Sequence, residues 1–356
     1  MKVLRLFLLV CLLAMTATMA NAVDVGTGSY ARSVGMGGAG LALTDQSIGA
    51  NPASYATSRS NLRFIFPSID MHTQGASMSD FQDRTDEVGD SSLDEVVQLA
   101  RDFGRERTTL NVSLMTGIEG PLGVAFEGEA EGLIDPSNGL KTWVNAGLPT
   151  DPAAIIALGL SPLTFANGTT VAGTLLYAAP AVSYGLGFDS AEGDKIWVGT
   201  KVKWLNSEVH SWTVNSVVGA DVTLEANELP VVEDDGLAAD LGIIIRPANS
   251  KVQWGMVINN LVDPELNGVD TPTMVSVGTA YQMNSRFVAA ADLVNINRAY
   301  NANPRLRFGA EWRMTKSIAL RGGFTGDNFT CGIGAFGMDF SFSSDSPAML
   351  SQSLRF

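Results

Sequence analysis

The chain has 356 residues and carries 23 Lys and Arg against 37 Asp and Glu, a formal net charge of −14. That balance excludes the basic face that nucleic-acid binding requires, so no nucleic acid is expected as a partner. Only 17% of residues are charged, against about a quarter in a soluble domain, so the fold has to place a large apolar surface somewhere.

The first predicted element is an export signal. Lys2 and Arg5 precede an apolar run at 6–15, and Ala20-Asn21-Ala22 closes it with the small-x-small pattern of a signal-peptidase site. Cleavage is expected after Ala22, making 1–22 the signal peptide and Val23 the mature start. The run is too short for an anchor, which needs about 20 residues. Cys11 sits in the middle of it, with bulky Val10 before it, which disfavours lipoprotein processing. Cys331 is then the one mature cysteine, so no internal disulfide framework forms.

Next comes "RSVGMGGAGLALTDQSIGANPAS" at 32–54, glycine-rich and nearly uncharged. It reads as neither strand nor good helix. Gly35, Gly37, Gly38 and Gly40 allow tight, left-handed backbone and close approach to a wall, and Asn51-Pro52 closes the segment with a rigid turn. Its apolar content is too high for a disordered tail.

The following residues are dominated by period-two alternation, the mark of strands with one oily and one polar face. An exception falls at 80–107, where Leu93, Val96, Val97, Ala100 and Phe103 share one helical face. A short amphipathic helix is expected near 91–104, in a long loop between the first two strands. In "GVAFEGEAEG", Glu127, Glu129 and Glu131 share a strand face. A second long connection at 132–168 holds "DPAAIIALGL", with Asp151 and Pro152 suited to open a helix at 151–160. The uncharged stretch at 171–188 is expected as two strands meeting at Ala178–Pro180.

Alternation is clearest further on. Ile196, Val198, Thr200, Val202 and Trp204 oppose Lys195, Trp197, Gly199, Lys201 and Lys203. Val252, Trp254, Met256 and Ile258 oppose Lys251, Gln253, Gly255 and Asn259. Leu306, Phe308, Ala310, Trp312 and Met314 oppose Arg305, Arg307, Gly309, Glu311 and Arg313. Strands pair through short turns at "PANS", Asn284-Ser285 and Thr315-Lys316, whereas "ANELPVVEDDG", "LVDPELNGVDTP" and "NRAYNANP" make longer connections. Leu350, Gln352, Leu354 and Phe356 alternate to the end of the chain; Leu354 and Phe356 fit the terminal signal read by the outer-membrane barrel assembly machinery.

A soluble exported β sandwich and a membrane barrel both fit these strands. The sandwich would expose its polar faces to water and should charge them densely. Here those faces mix charges of both signs with many glycines, as suits a shared lumen, and Glu127, Glu129, Lys201, Lys203, Arg307 and Glu311 are expected to face it. Trp204, Trp254 and Trp312 sit on the oily faces near strand ends, as an interfacial girdle does. The reading is therefore an all-β fold: a transmembrane antiparallel up-and-down β-barrel of about fourteen strands over 61–356, in contact with outer-membrane lipid. A barrel this wide is not filled by its own side chains, so residues 23–60 are expected inside the lumen as an N-terminal plug, or hatch.

The segment "ARSVGMGGAGLALTDQSIGANPAS" resembles the N-terminal signature of the FadL-like superfamily, the long-chain fatty-acid transporters of the outer membrane. The matching residues are Ala31-Arg32, Gly35 to Ala39, Asp45 and Asn51-Pro52-Ala53. Downstream, "GLAADLGIIIRP", "WGMVINNLVDP", "VSVGTAYQM", "LRFGAEWRM" and "IALRGGF" are similar to the TraF-like conjugal-transfer and PorV-like branches. The resemblance implies passive, porin-like uptake of a fatty-acid-like hydrophobic ligand through a hatch that shifts, with exit through the wall into the membrane. Arg32, Gly35, Met36, Gly37, Gly38, Leu41, Leu43, Asp45, Asn51 and Pro52 are the expected gate. The alternative it implies is a non-transporting scaffold with a secretion or conjugation partner, as in PorV-like proteins. The localisation it implies is the outer membrane of a Gram-negative bacterium.

Enzyme chemistry finds little support. His72 and His210 have no motif partner, "GMGGAG" lacks the Lys-Ser/Thr of a phosphate loop, and "VEDDG" and "DSAEGD" do not match a calcium loop. No catalytic residue, metal or cofactor is expected.

Overall fold

A computed structural model describes residues 31–44, 51–57, 63–74, 108–119 and 122–355, apart from 220, 263, 268, 270, 300, 301, 316, 327, 336, 337, 344 and 345. The export signal, Asp45, the helix expected near 91–104 and Phe356 lie outside these residues.

The strands are β1 (Arg63–Gln74), β2 (Thr108–Glu119), β3 (Leu122–Asp135), β4 (Thr170–Asp189), β5 (Lys195–Val218), β6 (Val222–Glu228), β7 (Val232–Arg246), β8 (Val252–Val262), β9 (Met274–Asn284), β10 (Phe287–Val294), β11 (Arg305–Arg313), β12 (Ile318–Thr325), β13 (Asn328–Ala335), β14 (Met338–Ser343) and β15 (Ser346–Arg355). Each pairs antiparallel with its neighbours in sequence, except that β5 pairs with both β6 and β7. The sheet closes where β1 meets β15, with Phe64 opposite Leu354. The ring contains fourteen strands, the expected number, because β6 lies outside it and pairs with the far end of β5 alone.

The oily faces point out of the ring. Trp254 is 56% exposed and Trp312 47% exposed, which for side chains of this size is tolerable against lipid and costly against water. They mark the level of the short turns. Trp204, expected at a strand end, instead stands in the middle of β5. It marks the other edge of the oily band, because the outward residues beyond it are polar Asn206 and Glu208. The stretch from Ile196 to Trp204 has the length of a membrane-crossing strand, about 9–11 residues.

Several elements differ from the sequence reading. Residues 171–188 form one strand, not two. β4 runs through Pro180 because a bulge absorbs it: Ala178 pairs with Leu205 and Ala181 with Lys203, so β4 carries one extra residue there. Ala178 and Ala181 both face inward and are buried, leaving Pro180 exposed on the outside, where its missing N–H breaks the ladder. Residues 212–228 form a hairpin of the far end of β5 with β6. "VEDDG" is the start of β7 rather than a loop.

The connection from β3 to β4 carries two helices. α2 (Asn138–Asn145) is capped by Ser137, whose side chain accepts from Leu140 N at 3.1 Å. α3 (Pro152–Ala157) is capped by Asp151, which accepts from Ala153 N at 3.1 Å. Leu140, Trp143, Val144, Ile155 and Phe165 pack on Val171, Trp212, Val214, Val222 and Leu224. The insertion thus has its own small core, built on the part of β4, β5 and β6 that extends past the oily band.

Candidate functional site

Inward-facing side chains of β3, β5, β7 and β8 form a buried charged tier. Lys201 Nζ lies 2.7 Å from Glu127 Oε1, and Lys203 Nζ lies 2.8 Å from Asp240 Oδ1. Lys203 also donates to Asn260 Oδ1 at 2.9 Å, and Asn260 N donates to Asp240 Oδ1 at 2.9 Å. Asn260 has φ +50° and sits where β8 gains residues over β7, so this cluster holds a bulge in shape. Buried charges persist only when paired and hydrogen-bonded, and these are.

Below this tier, the N-terminal segment follows the inner wall. It opens with a helix of five residues, α1 (Ala31–Gly35), where no regular element was expected. Gly37 and Gly38 then take φ +65° and +72°, which turns the chain along the wall. From there it runs against a track of wall glycines, moving around the ring as the sequence advances. Gly35 lies on Gly332 of β13, Met36 and Gly37 on Gly323 of β12 and Gly309 of β11. Leu41 lies on Gly278 of β9 and Gly255 of β8, Asn51 and Pro52 on Gly242 of β7 and Gly199 of β5, and Ala56 on Gly185 of β4. At most of these positions a β-carbon would overlap segment backbone. The wall has been emptied of side chains along the path of the segment.

Polar groups fix the segment on that track. Asp292 Oδ2 of β10 accepts from Gly40 N at 2.6 Å and Leu41 N at 3.0 Å. Gly37 N donates to Thr330 Oγ1 at 2.9 Å. Arg32 Nε and Nη2 reach Glu311 Oε2 and Oε1 at 2.8 and 3.1 Å. Glu311 also receives Arg313 at 2.8 Å and Arg321 at 2.7 Å, and Arg321 reaches Asp339 at 2.6 Å. Asn51, buried, donates to Leu41 O at 2.7 Å and to Ile243 O at 3.2 Å, while its Oδ1 accepts from Ala53 N at 2.9 Å. Asn51-Pro52 does not end the segment: a 3₁₀ helix continues over Pro52–Thr57 and buries Tyr55 against Gly123.

Above the charged tier the interior becomes apolar. Met115, Leu176, Ala178, Leu205 and Ala238 line it, Leu266 and Val269 of the β8–β9 connection pack over it, and Tyr55 and Ala125 join from below. Ala178 belongs both to this apolar group and to the β4 bulge. An oily interior therefore lies one strand's thickness from the membrane, at the place where the wall ladder is interrupted.

Of the residues singled out by sequence, Arg32, Gly35, Met36, Gly37, Gly38, Leu41, Leu43, Asn51 and Pro52 come together along the inner wall. Met36 is fully buried with Ala39 and Ala42 against Ala280, Val288 and Ala290. Glu127, Lys201, Lys203 and Glu311 are buried inward, Glu129 is half-buried, and Arg307 lies beside Gly38. Sequence reasoning missed Asp292, Asp240, Asn260, Arg321 and Asp339. A usable signal existed for two of them: Asp240 in "GLAADLGIII" and Asp292 in "FVAAADLV" are lone acids at inward positions of otherwise apolar strands. His210, which has no motif partner in the sequence, lies within β5, 2.7 Å from Glu208 and stacked on Trp212. In the two acidic stretches the carboxylates hold backbone: Asp194 accepts from Ala248 N at 2.8 Å and Asp234, at the start of β7, from Asn267 N at 2.9 Å. Among the described residues no three His, Cys, Asp or Glu side chains are grouped to hold a metal.

No protein-family model matches this sequence, and no curated protein matches it. Solved structures do match it in fold. The toluene transporter TbuX of Ralstonia pickettii aligns with a TM-score of 0.54 and 13% identity, over 91% of this chain and 96% of that one. This chain has the fold of that transporter. A deletion mutant of the monoaromatic hydrocarbon channel TodX agrees, with a TM-score of 0.51 and 13% identity over 93% of this chain and 97% of that one.

Proposed function

We propose that this protein is a passive conduit of the outer membrane for hydrophobic small molecules, closed at rest by its own N-terminal segment. The observation that carries this reading is the buried apolar cluster around Leu176, Leu205 and Leu266, set beside the β4 bulge at Ala178–Ala181. An oily molecule gains about 0.8 kcal/mol for each methylene moved out of water, so an interior of this chemistry favours it. Beneath, the charged tier of Glu127, Lys201, Lys203 and Asp240 is unfavourable to it. The route of least cost then leads sideways through the bulge into the bilayer rather than down the axis. Residues 23–60 act as the plug, with Arg32 and Gly40–Leu41 as its fastenings to Glu311 and Asp292. The solved structures of like fold carry transporter and channel names, toluene and monoaromatic hydrocarbons among them, which supports an oily cargo and no enzymatic step.

A second reading, a sealed scaffold serving a secretion or conjugation partner, is favoured by the closeness of the fit between segment and glycine track. Liposomes containing the protein separate the two. Uptake of a labelled fatty acid or monoaromatic compound above protein-free liposomes supports the conduit. Absence of uptake with the intact chain, together with free flux once residues 35–53 are deleted, would establish a sealed barrel and overturn it.

A further inference from the structure

We propose that the turn between β9 and β10 forms a binding site for a glycerophospholipid of the adjoining leaflet, phosphate at Arg286 and acyl chain along Trp312. A notch of about 430 Å³ opens there, lined by Met283, Asn284, Ser285, Arg286, Phe287 and Trp312. That volume falls within the usual range for small-molecule sites, roughly 300–1,000 Å³. Its walls divide by chemistry. Met283, Phe287 and Trp312 lie on the outward, lipid-facing side, and Phe287 and Trp312 are direct cross-strand partners. Arg286 stands at the turn, and its guanidinium has no ion pair among the described residues. Lys251 adds a second cation at the rim, its Nζ donating to Met283 O at 3.1 Å.

No carboxylate lines the notch, so Arg286 in its lining, with Lys251 held on Met283 O at its rim, makes the polar end of an oily slot positive. Trp254 and Trp312 set this slot at the interfacial level, where phosphodiesters lie. Guanidinium binds phosphate in a forked, charge-assisted geometry, and the phosphodiester is the anion the membrane itself supplies at that depth. The site is independent of the transport reading and requires only that the barrel span a membrane.

Native mass spectrometry of the full chain in detergent tests it, with dioleoylphosphatidylglycerol, dioleoylglycerol and oleic acid as probes. One phosphatidylglycerol should be retained, whereas dioleoylglycerol, which lacks the phosphate, should not. The Arg286→Gln, Lys251→Gln double variant should need at least tenfold more phosphatidylglycerol for equal occupancy, and Trp312→Ala should lose it as well. Unboiled gel mobility confirms that each variant is a folded barrel. Equal retention of dioleoylglycerol, preference for oleic acid, or unchanged occupancy in a folded double variant would overturn the proposal.

Discussion

Arg32 and Glu311 are 279 positions apart in sequence and meet through a two-point ion pair, Nε to Oε2 at 2.8 Å and Nη2 to Oε1 at 3.1 Å. The contact joins the first described helix of the N-terminal segment to the short-turn end of β11. Glu311 is also the meeting point of Arg313 and Arg321, and Arg321 is shared with Asp339, so this buried carboxylate is the centre of a charge network. Removing a single partner from such a group costs about 3–5 kcal/mol, because the remaining charges stay buried and uncompensated.

Glu311→Gln should therefore loosen the segment while leaving the barrel closed. Ser33 is buried, so a Ser33→Cys probe in a Cys331→Ser background reports on release. The expected result is thiol labelling at least about tenfold faster in Glu311→Gln, with little further gain on adding Arg32→Ala, since the two changes break one contact. Unchanged labelling would show that the glycine track alone holds the segment.

Asp292→Asn tests the second fastening. The carboxylate accepts from two successive backbone amides, Gly40 N and Leu41 N, and charge-assisted bonds of this kind are about twice as strong as neutral ones. The asparagine keeps the shape and loses the charge. A labelling gain smaller than that of Glu311→Gln is expected at Ser33, and a larger one at a Leu43→Cys probe, because Leu43 lies beyond this fastening in the chain. Equal effects at both probes would mean the segment moves as a rigid whole.

Gly309→Leu tests the track directly. A side chain there meets Met36 backbone, which cannot swing aside as a flexible tip would. Overpacking usually costs about 1–3 kcal/mol, and here the segment is the movable party. Release of the segment with a heat-modifiable barrel intact is the expected result. A chain that keeps the segment buried would show that the wall yields instead.

The barrel was readable because its physics is local. In β5, β8 and β11 each side chain declares its face by parity, and short turns declare the pairing. The apolar glycine-rich stretch was readable as something needing cover. Its seat was not, since Gly323 or Gly255 reads alone as a small residue in a strand, and only the closed ring aligns such glycines under residues 35–56. Asp292 escaped notice for a related reason: its partners are backbone amides about 250 positions away, which carry no side-chain signature. β4 misled because Pro180 argues against a central strand, and only the pairing with β3 and β5 shows that a bulge carries it. α2 was missed because "NGLKTWVN" is short and holds Gly139; its cap Ser137 is a local signal, whereas its cover on Trp212 is a tertiary fact.

The β4 bulge makes the sharpest demand on the transport reading. Between Ala178 and Ala181 this strand carries one residue more than β3 and β5, and Pro180 supplies no N–H to either neighbour. Deleting Pro180 restores equal residue counts, so Ala178, its successor and Ala181 fall opposite Leu205, Trp204 and Lys203. The ladder then continues unbroken, and the buried apolar cluster no longer borders an interrupted wall. The expected outcome is a barrel with unchanged unboiled mobility and uptake of a labelled hydrophobic compound reduced by about tenfold or more, corresponding to at least about 1.4 kcal/mol on the barrier. The contacts of the N-terminal segment with Asp292 and Glu311 are on the opposite arc of the ring and should be untouched, so Ser33→Cys labelling serves as the internal control. Full uptake through a straightened β4, with that control unchanged, would mean that cargo leaves the barrel along its axis past the charged tier.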